Sequence, residues 1–498
     1  MGNIDLSAFR GKVYRPRPMT PDEFRALGHQ LIEWVAAYRE RLPQLPVMSP
    51  AKPGDVRRHF AASPPEQGIP LEGLLPQLDA AILPGITHWN HPRFFAYFPS
   101  NSMLPSVLAD LVVAGLGTQG MSWQTSPAAT ELEEVAMEWL RQLVGLPPTF
   151  SGVIQDTAST ATLVALISAR ERTTGHGQVH GGLQAEAAPL TVYASEMAHS
   201  SIEKATLLAG FGRDNLRLLP TDDAHALLPD ALEEALATDV ARGHRPCAIV
   251  ATVGSTGTTA IDPVARMGEL ARAHGAWLHV DAAMAGTAMA CPEFRWMWEG
   301  VEQADSVVWN PHKWLGIGFD CTAYHVRDPD HLVRVMATDP SYLRTAEDGA
   351  VKNYRDWGIA LGRRFRALKV WFVLSALGVE GIRAEVRRHL ELARWFAERV
   401  DTTPEWERLA PVPLQTVSFR HRPEGLEGKA LDAHNLALAR AINASGHAYL
   451  TPAVVKGVQL LRVSVGATAT TAEDVAALWS QLVDTAAALP IGQAQRGR

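Results

Sequence analysis

The sequence predicts an α/β protein whose central domain is a mostly parallel β-sheet flanked by helices. Between about residues 104 and 372, short apolar runs alternate with helical segments, which is the pattern of strands buried on both faces. The 498 residues also exceed the size of one ordinary domain and suggest about three. Ligands of such sheets bind beyond the carboxyl ends of the strands, so residues that follow each strand are the first candidates for a functional site.

The first hundred residues predict a helical arm, which we place at residues 1–103. The segment Thr20–Glu23 has an N-cap threonine, a proline in the first turn and acidic residues behind it, and apolar residues then recur at helical spacing. Proline-rich connectors follow at residues 42–53 and 63–70. The arm has too little apolar surface to fold alone, so we expect it to pack on another domain or on a partner subunit.

The central domain, placed at residues 104–372, contains the predicted sheet. Its candidate strands and helices alternate along the chain, as expected for parallel strands joined by helical crossovers. The strands are Leu190–Ala194, Ala248–Val253, Trp277–Val280 and Ser306–Trp309, and the helices include Thr130–Val144, Ala161–Arg172 and Pro263–His274.

A smaller C-terminal α+β domain is predicted at residues 373–498. Its first part has a helical pattern up to Val400, and short strands then alternate with helices. Its clearest segments are the strands Leu414–Phe419 and Val458–Val465 and the helix Thr471–Ala488.

The composition excludes several classes of function. Lys+Arg 46 against Asp+Glu 53 gives a net charge of −7, and no basic block offers a footprint for a nucleic-acid backbone. No apolar run reaches the roughly 18 residues of a membrane span, and residues 1–20 lack the apolar core of a signal peptide. Three scattered cysteines are too few for a disulfide framework or a thiolate metal site. We therefore expect a cytoplasmic enzyme without a metal and without a nucleic-acid or membrane partner.

Lys313 is the first candidate for covalent chemistry. In the segment Trp309–Trp314, an Asn-Pro pair ends a predicted strand and is followed by this lysine between a histidine and a tryptophan. Only eight of the 46 basic residues are lysines, so a lysine with apolar neighbours stands out. Such neighbours desolvate the ammonium group and lower its pKa, as a lysine that forms a Schiff base requires. The alternative is an ordinary surface lysine in a loop.

Asp281 directly follows another predicted strand, Trp277–Val280, and two alanines come after it. The alternative role is that of a capping aspartate, which is common at strand ends. A carboxylate paired with a pyridinium nitrogen keeps that ring protonated and therefore an electron sink, which is the protein's main electronic task in enzymes of pyridoxal 5'-phosphate (PLP). Ala283 would leave room for a flat ring.

Two further segments follow predicted strands or begin helices. The segment Asp156–Ala161 places small hydroxyl residues at a helix start, where free N–H groups and the helix dipole favour a phosphate, although such residues are also ordinary N-caps. His199 follows the strand Leu190–Ala194, where it could stack on a cofactor ring and meet a substrate carboxylate. The alternative for a lone histidine is a structural role.

The order of these elements is more specific than any one of them. Fold-type I PLP enzymes have the same arrangement: a phosphate site, a ring-stacking histidine, an aspartate and then a lysine. Here the last two are Asp281 and Lys313, thirty-two residues apart. The chain resembles the group II amino-acid decarboxylases, and most closely the aromatic-L-amino-acid decarboxylases, over nearly its whole length. The motifs that carry the resemblance are His91–Pro99, Ser126–Glu133, Trp277–Gly286, Asn310–Trp314 and Leu361–Arg366.

The resemblance implies a role for each matching residue. Lys313 forms the Schiff base with PLP, Asp281 binds the pyridine nitrogen, and His199 stacks on the ring. The other face of the ring packs on Ala283. Further residues expected at the cofactor are Ala158, Ser159 and Asn310 at the phosphate, Thr256 beside the ring, and His312, which we expect to help move protons. Residues expected at the substrate are Trp89, Phe98, Ser100, Gln119, Met121, His199 and Gly362.

The same resemblance implies an obligate homodimer with active sites between subunits, and an amine-forming reaction. Tyr342 matches the mobile-loop tyrosine that serves reprotonation of Cα, and relatives with phenylalanine here tend to be aldehyde synthases, so tyrosine favours the simple decarboxylase. Asp156 departs from the glycine of animal members and is expected to point away from the phosphate, which would repel it. Gly362 stands where plant members with glycine accept indoles and those with serine prefer phenols. Tryptophan-like substrates are therefore favoured, with phenylalanine, tyrosine and dihydroxyphenylalanine still open.

Four alternatives remain. An aldehyde synthase of the same family is the nearest, and Tyr342 and His199 argue against it. A PLP transaminase would need an arginine for a second carboxylate, and none is assignable. A catalytically silent PLP-fold protein would not need to retain these side chains together. A metalloenzyme could begin from His176 and His180, but these lie in a Gly-rich polar stretch with no helix to align them.

Overall fold

The computed structural model describes residues 19–338 and 349–490. By backbone contacts the chain divides into two compact units, Met1–His88 and Trp89–Arg498. The sequence-based division into an arm, a large domain and a small domain stays a prediction. No helix in the described part of the chain is long and apolar enough to cross a membrane.

The first unit begins with the predicted helix. Helix α1 spans Pro21–Arg41, and its N-terminus is a capping box in which Thr20 and Glu23 satisfy each other's backbone N–H groups. A single helical turn, α2, spans Leu75–Gln77. The capping pattern was readable from sequence because it depends only on residues three positions apart.

Three side chains of α1 join it to the end of the first unit. The indole Nε1 of Trp34 donates to Asp79 Oδ2 at 3.0 Å, and Arg41 forms an ion pair with the same carboxylate. The hydroxyl of Tyr38 lies 2.9 Å from Nδ1 of His88. These polar contacts therefore join α1 to residues that are about 40 to 50 positions away in sequence.

The second unit contains a seven-stranded sheet. Its strands are β1 (Ser151–Gln155), β2 (Leu190–Ser195), β3 (Leu216–Leu219), β4 (Arg245–Thr252), β5 (Trp277–Asp281), β6 (Ser306–Trp309) and β7 (Thr322–Val326). They are arranged in the order β1-β7-β6-β5-β4-β2-β3. The pairs from β6 to β3 are parallel, whereas β7 runs antiparallel to both of its neighbours. The predicted mostly parallel sheet is confirmed.

Helices flank this sheet. They are α3 (Leu104–Leu116), α4 (Pro127–Leu143), α5 (Ala158–Thr173), α6 (Ser200–Leu208), α7 (Pro229–Ala241), α8 (Val264–Ala273) and α9 (Pro329–Met336). Every residue of β2, β5, β6 and β7 is buried, which explains why the sequence of these strands does not alternate between apolar and polar residues. The strands that sequence did not predict, β1, β3 and β7, are four or five residues long and contain polar or charged side chains.

A second, four-stranded antiparallel sheet forms near the C-terminus. Its strands are β8 (Trp406–Arg408), β9 (Thr416–His421), β10 (Thr451–Val455) and β11 (Val458–Ser464), in the order β10-β11-β9-β8. Helices α10 (Ala367–Thr402), α11 (Gly428–Ala444) and α12 (Ala472–Ala488) accompany it. Helix α10 is interrupted at Gly378, whose φ of 63° is unfavourable for a residue with a side chain.

The register of the large sheet decides where polar side chains meet. In the parallel pairing of β4 with β5, Thr252 is opposite Asp281, and both are the last residues of their strands. Strand β6 also runs parallel to β5, so the chain leaves it at Trp309 on the same edge of the sheet. The loops after β4, β5 and β6 therefore converge at one edge, as expected for a ligand site of an α/β sheet.

Candidate active site

One cavity of about 180 Å³ lies at this edge of the sheet. All nine residues predicted at the cofactor line it, together with Phe98, which was predicted at the substrate. The lining residues are Phe98, Thr157, Ala158, Ser159, His199, Ser201, Thr252, Gly254, Ser255, Thr256, Asp281, Ala283, Asn310, His312 and Lys313.

Lys313 lies in the loop between β6 and β7. Its Nζ is 5.3 Å from the centroid of the Phe98 ring, and part of the side chain faces the cavity. Burial lowers the pKa of Lys313 below its ordinary value, the carboxylate of Asp281 opposes this, and the charge of Arg462 adds to it. A larger fraction of this amine is therefore uncharged at neutral pH than in a surface lysine.

Asp281 is buried at the end of β5, with only 5% of its surface exposed. Its Oδ1 accepts the N–H of Ala283 at 3.0 Å, which orients the carboxylate within the turn after the strand. No ion pair to this carboxylate is present among the described residues. A buried carboxylate is costly without a cation or donor, so this position suits the protonated nitrogen of a heterocycle.

The opposite wall of the cavity is the N-terminus of α5. Thr157 caps this helix by accepting the N–H of Thr160 at 3.4 Å, and Ala158 and Ser159 form its first turn. The carboxylate of Asp156 accepts the N–H of Thr157 at 2.6 Å, and Asp156 is absent from the lining. Free N–H groups and the positive end of the helix dipole therefore face the cavity, which favours an anion such as phosphate.

Asn310 adds an oriented amide to the same site. Its Oδ1 accepts the hydroxyl of Thr322 at 2.9 Å, which fixes the orientation of the amide group. Its Nδ2 has no hydrogen-bond partner in the described part of the chain, so this nitrogen is a donor available to the cavity.

His199 caps helix α6 with its own ring. Its Nδ1 accepts the N–H of Ser201 at 3.1 Å and lies 2.8 Å from the hydroxyl of the same serine. The neutral ring must therefore carry its proton on Nε2. Burial lowers the pKa of His199, while Asp281 raises it and Lys313 lowers it further. The ring is thus a neutral, fixed donor in the wall of the cavity.

His312 is held by the backbone of the loop before β7. Its Nδ1 lies 2.7 Å from the carbonyl oxygen of Cys321 and also accepts the backbone N–H of the same residue at 3.1 Å. The ring of Phe319 lies edge-on at 4.8 Å between centroids. Burial, and then the charge of Lys313, lowers the pKa of His312 to about 4. The ring is consequently uncharged at neutral pH.

The donor and acceptor groups of the cavity fit PLP. The helix N-terminus and Asn310 match its phosphate, Lys313 its aldehyde, and Asp281 its pyridine nitrogen. Ala283 supplies a small residue and His199 a flat ring for the two faces. The profile of the pyridoxal-dependent decarboxylase conserved domain matches residues 53–422.

The chain belongs to the pyridoxal-dependent decarboxylase family. It is 39% identical to phenylacetaldehyde synthase of Arabidopsis thaliana over 96% of this chain and 98% of that protein. It is 38% identical to tryptophan decarboxylase 2 of Oryza sativa subsp. japonica over 94% of this chain and 96% of that protein. Its structure matches that of Oryza sativa TDC with PLP and tryptamine with a TM-score of 0.92 and 35% identity, covering 95% and 99% of the two chains. The predicted fold and the predicted cofactor are confirmed.

Most of the residues predicted at the substrate lie outside the cavity of this enzyme chain. The hydroxyl of Ser100 donates to the carbonyl oxygen of His312 at 2.8 Å, so it supports the backbone beside Lys313. Trp89 stacks on Tyr97, with ring centroids 5.6 Å apart. Tyr342 lies outside the described residues, and its role in the reaction stays a prediction.

Gln119, Met121 and Gly362 form a separate cluster. The Oε1 of Gln119 accepts the N–H of Arg363 at 3.3 Å, and the carbonyl oxygen of Met121 accepts the N–H of Arg355 at 2.9 Å. A Cβ atom added to Gly362 would lie 3.5 Å from Nε2 of Gln119, an ordinary contact. The chain thus brings the three residues together but not to its own cavity.

The structure adds residues that the sequence interpretation did not assign. Thr157, Ser201, Thr252, Gly254 and Ser255 line the cavity, and the first two were detectable as residues at helix starts. Arg462 is 3% exposed, and its guanidinium carbon lies 5.5 Å from the Phe98 ring centroid. Its sequence signal was a single arginine within the apolar strand Val458–Ser464.

Proposed function

We propose that the enzyme decarboxylates an aromatic L-amino acid to carbon dioxide and the corresponding amine. The observation that carries the proposal is the juxtaposition of Lys313 and Asp281 in one cavity that also presents a helix N-terminus. The names of the two relatives, a tryptophan decarboxylase and a phenylacetaldehyde synthase, support an aromatic substrate. Tryptophan-like substrates stay favoured by Gly362, and phenylalanine, tyrosine and dihydroxyphenylalanine stay open.

Each side chain of the cavity has a distinct task in this proposal. Bound PLP supplies an electron sink for the charge that remains when the carboxylate leaves. Lys313 holds the cofactor through its amine, which burial keeps ready to react. Asp281 keeps a proton on the ring nitrogen, and the α5 N-terminus with Asn310 holds the phosphate. His199 and Ala283 line the cavity and would hold the ring from its two faces, which would limit the orientations of a bound substrate.

Arg462 is a buried cation beside Phe98, and we expect it to attract the substrate carboxylate. Its Nη1 donates to Thr451 Oγ1 at 3.2 Å and its Nη2 to the carbonyl oxygen of Tyr97 at 3.4 Å, whereas Nε has no partner among the described residues. None of the described acidic side chains forms an ion pair with it. A buried guanidinium without a carboxylate attracts an anion, and the apolar Phe98 ring lies beside it.

The proton that replaces the carboxylate is assigned to Tyr342, from its sequence segment alone. His312 supports proton transfer because its neutral ring lines the cavity next to Lys313. An aldehyde synthase is the second candidate function, since one of the relatives carries that name. Tyr342 favours the simple decarboxylase over this alternative.

The deciding experiment is a panel of aromatic amino acids incubated with the purified holoenzyme. Carbon dioxide and amine are measured together with aldehyde and hydrogen peroxide. We expect equal amounts of carbon dioxide and amine, with little peroxide. Aldehyde and peroxide in amounts equal to carbon dioxide would instead establish the aldehyde synthase, and no carbon dioxide from any aromatic substrate would refute both.

A second experiment tests the cofactor lysine. Lys313→Ala removes the covalent attachment, so the visible absorbance of lysine-bound PLP should be absent and decarboxylation should fall by several orders of magnitude. Lys369→Ala is the matched control, because Lys369 is also a buried lysine but donates to the carbonyl oxygens of Gly318 and Asp320. Retained absorbance in Lys313→Ala would refute the assignment.

We further propose that the enzyme works as a cytoplasmic homodimer. Helix α3 exposes four leucines, Leu104, Leu108, Leu111 and Leu116. A row of apolar side chains on a helix surface is typical of an interface. The cluster at Gln119 directly follows α3, so it would reach the partner's cavity, and the N-terminal arm would complete its packing there. Leu108→Arg should convert the dimer to a monomer in light-scattering measurements of mass.

The three cysteines are buried and unpaired, which suits a reducing compartment.

A further inference from the structure

Two buried residues, Asn101 and His389, form hydrogen bonds to Lys313 and to the residue that follows it. Nδ2 of Asn101 donates to the carbonyl oxygen of Lys313 at 3.4 Å. The indole Nε1 of Trp314, the next residue, donates to Nδ1 of His389 at 2.8 Å. Neither Asn101 nor His389 lines the cavity, so each acts on the lysine segment from behind.

The same two side chains also bind the loop that follows β11. Nδ2 of Asn101 donates to the carbonyl oxygen of Gly466 at 2.5 Å, and its Oδ1 accepts the N–H of Thr468 at 3.2 Å. Because Nδ1 of His389 accepts the indole proton, its Nε2 carries the ring proton and donates to the carbonyl oxygen of Ala467 at 3.1 Å. Three consecutive residues of this loop are therefore joined to two consecutive residues at the lysine.

Burial makes these bonds difficult to replace with water. Asn101 is 1% exposed and His389 is fully buried. Burial lowers the pKa of His389 to about 4, so at neutral pH the ring stays uncharged and keeps one donor and one acceptor. Removing Asn101 leaves the carbonyls of Lys313 and Gly466 without its amide donor, and removing His389 leaves the buried indole N–H of Trp314 without its acceptor. Each loss costs more than that of a surface hydrogen bond.

The loop after β11 has a direct relation to the cavity. Strand β11 carries Arg462, whose guanidinium carbon is 5.5 Å from the Phe98 ring centroid, and Nζ of Lys313 is 5.3 Å from the same centroid. Lys313, in the loop after β6, and Arg462, in β11, thus lie beside the same aromatic ring. Their separation depends on how the lysine segment is attached to the loop after β11.

We propose that Asn101 and His389, together called the lysine clamp, are positioning residues that attach the Lys313 backbone to the C-terminal sheet. The clamp holds the amine of Lys313 at a set distance from Asp281 and Arg462. The proposal rests on the proposed function, in which Lys313 binds PLP. A displaced amine lies in a different electrostatic environment, so the protonation of lysine-bound PLP reports its position.

Asn101→Ala tests the clamp against a matched control, Asn435→Ala. Asn435 is also fully buried and makes three backbone hydrogen bonds, to the N–H and carbonyl of His421 and to the carbonyl of Leu431. It has no bond to the lysine segment. The two variants should therefore lose similar thermal stability, which separates a general structural loss from loss of positioning.

The measurement is the pH titration of the visible absorbance of each holoenzyme, followed by kcat and KM. For Asn101→Ala we expect the titration midpoint to shift by about half a pH unit or more, and kcat to fall about tenfold with little change in KM. Asn435→Ala should keep the wild-type midpoint and kcat.

The histidine supplies an independent test. His389→Leu should shift the midpoint in the same way, whereas His389→Gln, which retains a donor and an acceptor, should restore much of it. If Asn101→Ala and His389→Leu both match Asn435→Ala in midpoint and kcat, the clamp is refuted while Lys313 keeps its assigned role. If Lys313→Ala retains the absorbance of lysine-bound PLP, the proposed function fails and the clamp fails with it.

Discussion

The charge of Arg462 should control the protonation of the lysine-bound cofactor. Arg462→Met removes this charge and retains a long apolar side chain of similar volume. Because the guanidinium is buried without an ion pair among the described residues, its replacement by a well-packed apolar side chain should leave folding intact. The variant therefore isolates an electrostatic effect at Lys313.

The magnitude follows from two distances. The Arg462 guanidinium carbon is 5.5 Å and the Lys313 nitrogen 5.3 Å from one ring centroid, so the charges are at most 10.8 Å apart, the sum of these distances. At an effective dielectric constant of about 20, two unit charges at that separation interact with about 1.5 kcal/mol. This corresponds to about one pH unit. The positive charge opposes protonation of the nitrogen, so its removal should raise the pKa.

The assay is the pH titration of the visible absorbance of the holoenzyme. The titration midpoint of Arg462→Met should rise by about one unit. Arg462→Lys, which keeps the charge, should stay within about 0.3 unit of the wild type. Equal shifts in the two variants would refute the electrostatic reasoning and assign the effect to packing, and no shift in Arg462→Met would show that the charge does not reach Lys313.

Three further predictions concern the product, the substrate and the pH dependence of stability. Tyr342→Phe should divert product from amine to aldehyde, ammonia and hydrogen peroxide, measured by peroxide release, and unchanged amine yield would remove Tyr342 from the mechanism. Gly362→Ser should fold normally, because its Cβ would lie 3.5 Å from Nε2 of Gln119. Its ratio of kcat/KM for tyrosine over tryptophan should rise about tenfold or more, and an unchanged ratio would exclude this position from the substrate pocket. Burial lowers the pKa of His325 from 6.5 to about 3, so the neutral ring contributes stability above pH 6.5 that is lost as the pH falls. The loss between pH 7 and 5 amounts to about 2 kcal/mol. The ring nitrogens of His325 have no partner among the described residues. In urea unfolding, His325→Leu should therefore remove this loss of stability between pH 7 and 5, whereas a substitution of the exposed His180 should leave the loss unchanged.

Local sequence patterns predicted much of the fold. The N-terminus of α1 was predictable because a capping box needs only Thr20 and Glu23. The parallel strands β2, β4, β5 and β6 were predictable because strands buried on both faces are continuously apolar. Strand β7 was missed because it mixes polar and apolar residues, although all five are buried.

Some residues of the candidate site were likewise predictable from local sequence, and others were not. Lys313, Asp281 and the start of α5 each follow a strand or begin a helix, and their order along the chain predicted the cofactor. The family was predicted from the resemblance that the longer motifs carry. Arg462 was missed because a single arginine in a strand has no local feature that marks its burial. Asn101 was missed because its partners are more than 200 residues away in the sequence.

The sequence by itself determined the fold class, the family and the chemistry of the cofactor cavity. These depend on short segments whose strand, turn and capping preferences are local, and on the rule that parallel strands end at one edge of the sheet. Only the tertiary structure decided which distant groups surround that chemistry. The approach of Arg462 to Phe98, and the attachment of Lys313 to the loop after β11, depend on the packing of segments that are far apart in the chain. Such packing is set by the whole core and not by the residues adjacent in the chain.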